Sequence, residues 1–360
     1  MQKIDFLDGV RGLAILLVLI FHLLFMVLPT DNMPTFWLNA GRFLMHGVTL
    51  FFVLSGFLIG SILLHNKNSK SYFKTFYIKR IGRIIPIYYL LILGYYIFKY
   101  ILFPDYEGHE LNSGIPDWAY PFFAQSFFIP RYGLGPGIMN VTWSLCVEEQ
   151  FYLFAPLFIF LFDSSKLVIL CISGILLSLF SRLLLPGFEN LGILALITSR
   201  ADSLFMGILL AVAYRNKELL LKIKDNQASI TVLLGILTVG IILQFLGFAM
   251  GVFQLTWIAM FFAIILLIPL ANNASLPCKF FNQGFLKFFG KYSYGLYIYH
   301  MPLNYLLKHL NSQYGVSLDT LNHMLIFNSF SILIILIFSY FSYEYFEKRI
   351  INYVNRFKYN

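Results

Sequence analysis

The chain has 360 residues, of which 59% are hydrophobic and only 12% charged, and its mean hydropathy is +0.75. These values exclude a soluble domain with a single buried core and describe an integral membrane protein. The formal charge of +9 does not call for nucleic acid, because surplus Lys and Arg of a polytopic protein collect on its cytoplasmic loops.

An apolar run of about 20 residues spans a bilayer. Ten such runs follow one another at 10–28, 42–64, 85–103, 144–162, 167–185, 191–213, 229–247, 251–271, 288–308 and 323–343. The reading is an all-α polytopic membrane protein, a bundle of about ten transmembrane helices. With the N-terminus inside, 20 of the 26 Lys and Arg residues fall on inner segments, so both termini are expected to be cytoplasmic. Residues 1–343 form the membrane domain and 344–360 a short basic cytoplasmic tail. Cys146, Cys171 and Cys278 lie in or beside apolar stretches without metal or redox spacing and read as packing residues. No His/Cys/carboxylate cluster has ligand spacing, so no metal is expected. The first apolar run is too long for the core of a cleavable signal peptide.

The first span carries Arg11 and His22, eleven residues apart and therefore close to three full turns, on one face and roughly 16 Å apart along the axis. An intramembrane histidine is costly and marks a functional site by default. Arginine at the rim and histidine at depth suggest an anion at the surface and chemistry within. Ser55-Gly-Phe-Leu-Ile-Gly60 in the second span favours close helix approach. In the following inner loop Arg80 and Arg83 share a helix face at a spacing of three. With Arg11 they would grip phosphates, the plain alternative being a topogenic stop signal. Residues 104–142 are rich in aromatics, Pro and Gly and are expected to lie on or dip into the outer membrane surface.

The fourth span opens with Trp143 and carries Glu148-Glu149-Gln150. Either glutamate could meet His22 at similar depth and orient its imidazole for general-base work, the alternative being carboxylates that snorkel to the rim. Arg200 and Asp202 form a second polar node, read either as an internal ion pair or as part of a substrate site. In the ninth span Tyr292, Tyr299 and His300 would line a polar cavity, or simply pack and belt the interface. The candidate substrate contacts are thus Trp143, Arg200, Asp202, Tyr292 and His300.

Five segments together resemble the acyltransferase family 3 group of bacterial membrane O-acyltransferases: Leu7-Asp-Gly-Val-Arg-Gly-Leu-Ala14, Phe51–Ile59, Lys79–Pro86, Trp143–Tyr152 and Ser293–His300. They occur in the family's order and cover nearly the whole chain. The resemblance implies a bacterial inner-membrane enzyme that moves an acyl group, usually acetyl, from cytoplasmic acyl-CoA to a hydroxyl of a surface glycan such as lipopolysaccharide O-antigen, capsule or exopolysaccharide. It implies that Arg11, His22 and the Arg80/Arg83 pair are the functional core; with the reading of the residues above, the three arginines are expected to hold the donor and Glu148 or Glu149 to orient His22. Acyl-CoA is then a substrate, and no bound cofactor is expected. The partners implied are a lipid-linked or polymeric sugar, membrane lipid and a separate glycan-processing protein, but no nucleic acid.

Two departures stand out. Arg349 follows Glu347-Lys348 where the family commonly has proline, and the soluble hydrolase-like domain that many relatives carry after the membrane part is not expected here. The rival class is a transporter or polysaccharide exporter with an intramembrane His/Glu proton relay, against which stands the lack of an inverted repeat.

Overall fold

A computed structural model describes residues 4–185, 195–313, 318 and 320–360. Their regular structure is helical, with no strand among the described residues. The principal helices are α1 (Phe6–Leu19), α2 (Thr35–Phe43), α3 (Gly47–His65), α4 (Tyr72–Ile97), α5 (Thr142–Leu161) and α6 (Ser164–Leu184). They continue as α7 (Ile197–Arg215), α8 (Gln227–Phe245), α9 (Gln254–Ala271), α10 (Gly284–Lys291), α11 (Ser293–Gln313) and α12 (Leu321–Ser342).

Among the described residues, nine helices are long and apolar enough to cross a membrane. The predicted run 288–308 is the one that departs. It divides at Tyr292 into short α10 and 21-residue α11, and α11 is not among those nine. Its Tyr, His and Asn side chains are turned inward, with Tyr297, Tyr299, His300 and Asn304 buried, so an interior helix reads as less apolar than a lipid-facing one. The start predicted for the sixth span, at 191, lies outside the described residues.

α1, α3 and α7 form the centre. Val10, Ala14, Ile15 and Val18 of α1 are fully enclosed, as are Phe57 and Ile59 of α3. Close approach of α3 and α7 depends on Gly56 and Gly207: a Cβ on Gly56 would strike the Leu204 carbonyl, and one on Gly207 the Val53 carbonyl. This is the small-residue packing that membrane helices use, where lipid tails give no hydrophobic drive for helix association. Val232, Ile236 and Val239 on α8, like Leu176, Leu177 and Phe180 on α6, stay exposed at the periphery, as lipid-facing side chains should.

Two connections are more ordered than the sequence implied. Residues 104–141 dip into the bundle. Tyr88 donates to the Tyr120 carbonyl, at 2.9 Å, and Gln150 donates to the Phe123 carbonyl and Ser126, at 2.9 and 3.0 Å. Phe123 holds a positive φ of 51°, a strained geometry kept by the bonds that Gln150 and the Cys146 thiol donate to its carbonyl. The final segment is no free tail. After a π turn at Tyr343–Glu347 and a helix at Lys348–Val354, it folds back so that Lys70 N–H and the Ser69 hydroxyl both donate to the Asn360 carbonyl at 2.7 Å.

Candidate active site

Arg80 and Arg83 stand on α4, which begins at Tyr72, so the basic stretch expected as a loop is helical and its two guanidinium groups share a face. Arg11 reaches the same place from α1, held by Asp8 one turn back at 2.5 Å. The three arginines line one cavity of about 190 Å³ together with Ser55, Ser144, Glu148, Tyr152, Tyr294 and Tyr297. The Arg80 guanidinium lies over the Tyr152 ring, 5.6 Å from its centroid. The Tyr152 hydroxyl donates to Glu148 at 3.1 Å and also bonds Ser55. Glu148 therefore belongs to the arginine mouth, and its hydrogen bond runs to Tyr152 rather than to His22. Glu149, one residue and about 100° further round the helix, does not line the cavity, and its Oε1 is buried without a partner.

The group beside His22 is His300. Their ring centroids are 5.1 Å apart, with the planes tilted by 52°. His22 lies in a π turn, Ile20–Leu24, that continues α1; such single wide turns recur at functional sites. His22 Nδ1 bonds the Val18 carbonyl at 3.0 Å, and His300 Nδ1 bonds the Tyr297 carbonyl at 2.7 Å. A carbonyl only accepts, so a neutral ring in this arrangement carries its proton on Nδ1 and keeps a lone pair on Nε2. His300 Nε2 is buried without a partner. Tyr297 joins the two regions: it lines the arginine cavity, bonds Ser144 at 2.6 Å and lies 5.7 Å from the His300 ring.

The second polar node is rearranged relative to expectation. Asp202 pairs with Arg182 on α6, at 2.9 Å, and not with Arg200. It also accepts from Thr256 at 2.6 Å and from the Ser203 N–H at 2.8 Å. Arg200 instead lies over two aromatic faces, 5.6 Å from the Phe52 centroid and 5.4 Å from that of Trp143. Tyr292 sits apart at the rim, where it bonds Lys291 at 3.0 Å and Glu344 at 3.3 Å. Hydrogen bonds from Lys291 to Glu344 and Tyr292 push the Lys291 amine well above its usual range.

Sequence reasoning missed Tyr294, Tyr297 and Arg182. The first two were visible as a stripe at 294, 297 and 300, spaced as one helix face, whereas Tyr292 and Tyr299 lie on other faces. Arg182 offered only its position as a lone cation in an apolar run.

Residues 4–344 match the acyltransferase domain family, Acyl_transf_3. The chain belongs to this family. It is 30% identical over 319 residues to the peptidoglycan O-acetyltransferase OatA of Listeria monocytogenes, covering 82% of this chain and 49% of that protein. The O-acetyltransferase OatA of Staphylococcus aureus is 30% identical over 331 residues, 86% of this chain and 51% of the relative. A putative peptidoglycan O-acetyltransferase of Bacillus subtilis, YrhL, is 34% identical over 161 residues, 42% of this chain and 23% of the relative. The chain thus spans about half the length of the two OatA proteins. No solved structure matches it. As a multi-pass membrane protein of this family, it fits the bacterial inner membrane.

Proposed function

We propose that this acyltransferase-family protein moves an acyl group, most simply acetyl, from cytoplasmic acyl-CoA to a hydroxyl of a cell-surface glycan. The observation that carries the reading is continuity between binding and chemistry. The cavity that holds Arg11, Arg80 and Arg83 is walled at depth by Tyr297, which touches His300, which faces His22. With the basic loops cytoplasmic, the arginine mouth opens inward, toward acyl-CoA. Its three guanidinium groups suit the phosphates of the donor, and the pantetheine arm would carry the thioester toward the imidazoles.

His22 Nε2 then takes the proton of the acceptor hydroxyl as that oxygen attacks the thioester carbonyl. The new C–O bond forms, the C–S bond breaks, and the leaving thiolate recovers the proton from the imidazolium. Glu148 keeps Tyr152 and the arginine cluster in register at the donor end. Trp143 and Arg200 lie behind Phe52 of the cavity wall and are assigned to the acceptor side. Two relatives bear names that specify peptidoglycan. Among surface glycans, these names support a peptidoglycan sugar as the proposed acceptor over lipopolysaccharide O-antigen, capsule or exopolysaccharide.

The test is mass spectrometry of surface glycans from a deletion strain complemented with native protein or with His22→Ala at matched expression. Loss of an acyl mass restored only by the native chain supports the reading and names the acceptor. Restoration by His22→Ala removes His22 from the mechanism. A change in glycan amount without a change in acylation points to an exporter instead.

A further inference from the structure

Arg182, Arg200 and Asp202 are 1%, 3% and 0% exposed, respectively, so two guanidinium groups and one carboxylate are enclosed together. The carboxylate is spent. Asp202 Oδ2 receives Arg182 at 2.9 Å and Thr256 at 2.6 Å, while Oδ1 receives the Ser203 N–H at 2.8 Å and its hydroxyl at 3.3 Å. Arg182 also donates to the Ser199 carbonyl at 2.8 Å and to Thr256 at 2.5 Å, its Nε staying buried without a partner. Arg200 gets neither salt bridge nor hydrogen bond from any described residue, and its Nε and Nη1 are buried without partners. Its guanidinium lies over the ring faces of Phe52 and Trp143, and Asp202 attracts it only at longer range. The node therefore carries one positive charge more than it neutralises, in surroundings where an uncompensated ion is costly.

We propose that Arg200 is an anion-receiving site for the reacting substrates, taking either the oxyanion that develops on the acyl carbonyl or a carboxylate of the acceptor. Two positions point this way. Phe52, which stacks on Arg200, lines the arginine cavity, as does Ser144, next to the stacking Trp143. Tyr297, within charge-interaction range of Arg200, lines that cavity and contacts His300. The cation thus lies one side chain behind the cavity wall that Phe52 and Ser144 form, apart from Arg11, Arg80 and Arg83 in the lining. A fixed donor without a ground-state partner is what stabilises charge that appears only during reaction. The proposal rests on the acyl-transfer reading for the identity of the substrate, but not for the existence of the site.

The test uses full-length protein in detergent, with Arg200→Gln, Arg200→Lys and Arg182→Gln beside the native chain. If Arg200 awaits an anion, Arg200→Gln melts at the native temperature or above it, while Arg182→Gln melts lower. Millimolar acetate, the probe anion, should raise the melting temperature of the native chain but not of Arg200→Gln. Release of free thiol from acetyl-CoA then identifies the ligand. A loss of about 100-fold in kcat with unchanged KM in Arg200→Gln, partly recovered in Arg200→Lys, assigns the oxyanion. Native thiol release with lost transfer to glycan assigns the acceptor carboxylate. An Arg200→Gln protein that melts as low as Arg182→Gln, or that keeps both thiol release and glycan transfer, overturns the proposal. A native chain that releases no thiol from acetyl-CoA would instead count against the acyl-CoA reading, leaving the melting and acetate arms to decide the anion site.

Discussion

His22 and His300 face each other with ring centroids 5.1 Å apart, and each ties its Nδ1 to a carbonyl of its own helix, Val18 and Tyr297. Both tautomers are fixed by the backbone, and neither ring needs a carboxylate to orient it. His22 comes from a widened turn of the first span and His300 from the buried face of α11, so the pair also pins the two helices together.

The pair predicts unequal losses. Replacing His22 by Ala should lower acyl transfer by about 100- to 10,000-fold, the range a positioned acid–base group supplies. Replacing His300 by Gln should displace the His22 ring and cost about 100-fold through misalignment, leaving the KM for acetyl-CoA near native. The measurement is thiol release with both variants at matched folded concentration. Equal KM increases in both variants would move the histidines from the chemistry to donor binding.

The arginine mouth predicts the opposite kinetic signature. Arg83→Ala removes a charge-assisted contact worth about 1.5–3 kcal/mol, so the KM for acetyl-CoA should rise about 10- to 100-fold while kcat changes little. Arg80→Lys keeps the charge but loses the planar stacking on Tyr152, and should sit between native and Arg83→Ala. An analogue of the donor that lacks one phosphate should bind the native chain weakly. If the loss from the analogue and the loss from Arg83→Ala simply multiply, that phosphate and that arginine do not meet.

How far the sequence carried this site can be read from individual residues. Arg11, Arg80 and Arg83 were legible because each announces itself as a cation at a helical spacing, and the structure gathers all three round one cavity. Direction across the bundle was not legible. Glu148 and His22 were placed at similar depth, yet Glu148 turns toward Tyr152 and Arg80, because which side of a helix meets which neighbour depends on packing angles that no single span encodes. Asp202 likewise chose Arg182, on the preceding span, over Arg200 two residues along its own helix, where i,i+2 side chains diverge. α11 was found by its length but misread at its start, since Tyr292 lies between two helices rather than within one.

The Arg182–Asp202 pair predicts a stability effect without a direct effect on donor binding. Both side chains are wholly enclosed, and breaking a buried pair by removing one partner costs about 3–5 kcal/mol because the remaining charge is stranded. Asp202→Asn strands Arg182 beside the already unpaired Arg200 and should be the most destabilising single change at this node. Thermal melting in detergent checks it. Asp202→Asn melting at the native temperature would mean that water or lipid headgroups reach the node.

Asp117 predicts a pH-dependent change in the segment 104–141. Partial burial pushes its carboxyl up, but hydrogen bonds from Lys99, Tyr100 and Tyr95 outweigh burial and hold it below the usual carboxylate range. Lys99 donates at 2.7 Å and Tyr95 at 2.9 Å, while Tyr96 donates to the Asp117 carbonyl at 2.7 Å. An acid whose folded pKa lies below its unfolded value, about 3.9, stabilises the fold in full above that unfolded value. That contribution is lost as pH falls through the lowered folded value. The segment should therefore resist proteolysis from neutral pH to about pH 4 and open below it. Asp117→Asn should open the segment at neutral pH and flatten the acid dependence. Acid opening that persists unchanged in Asp117→Asn would assign the transition to another group, with Glu110 next in line because its carboxyl is also held low, by Tyr106 and its own backbone against the opposing effect of burial.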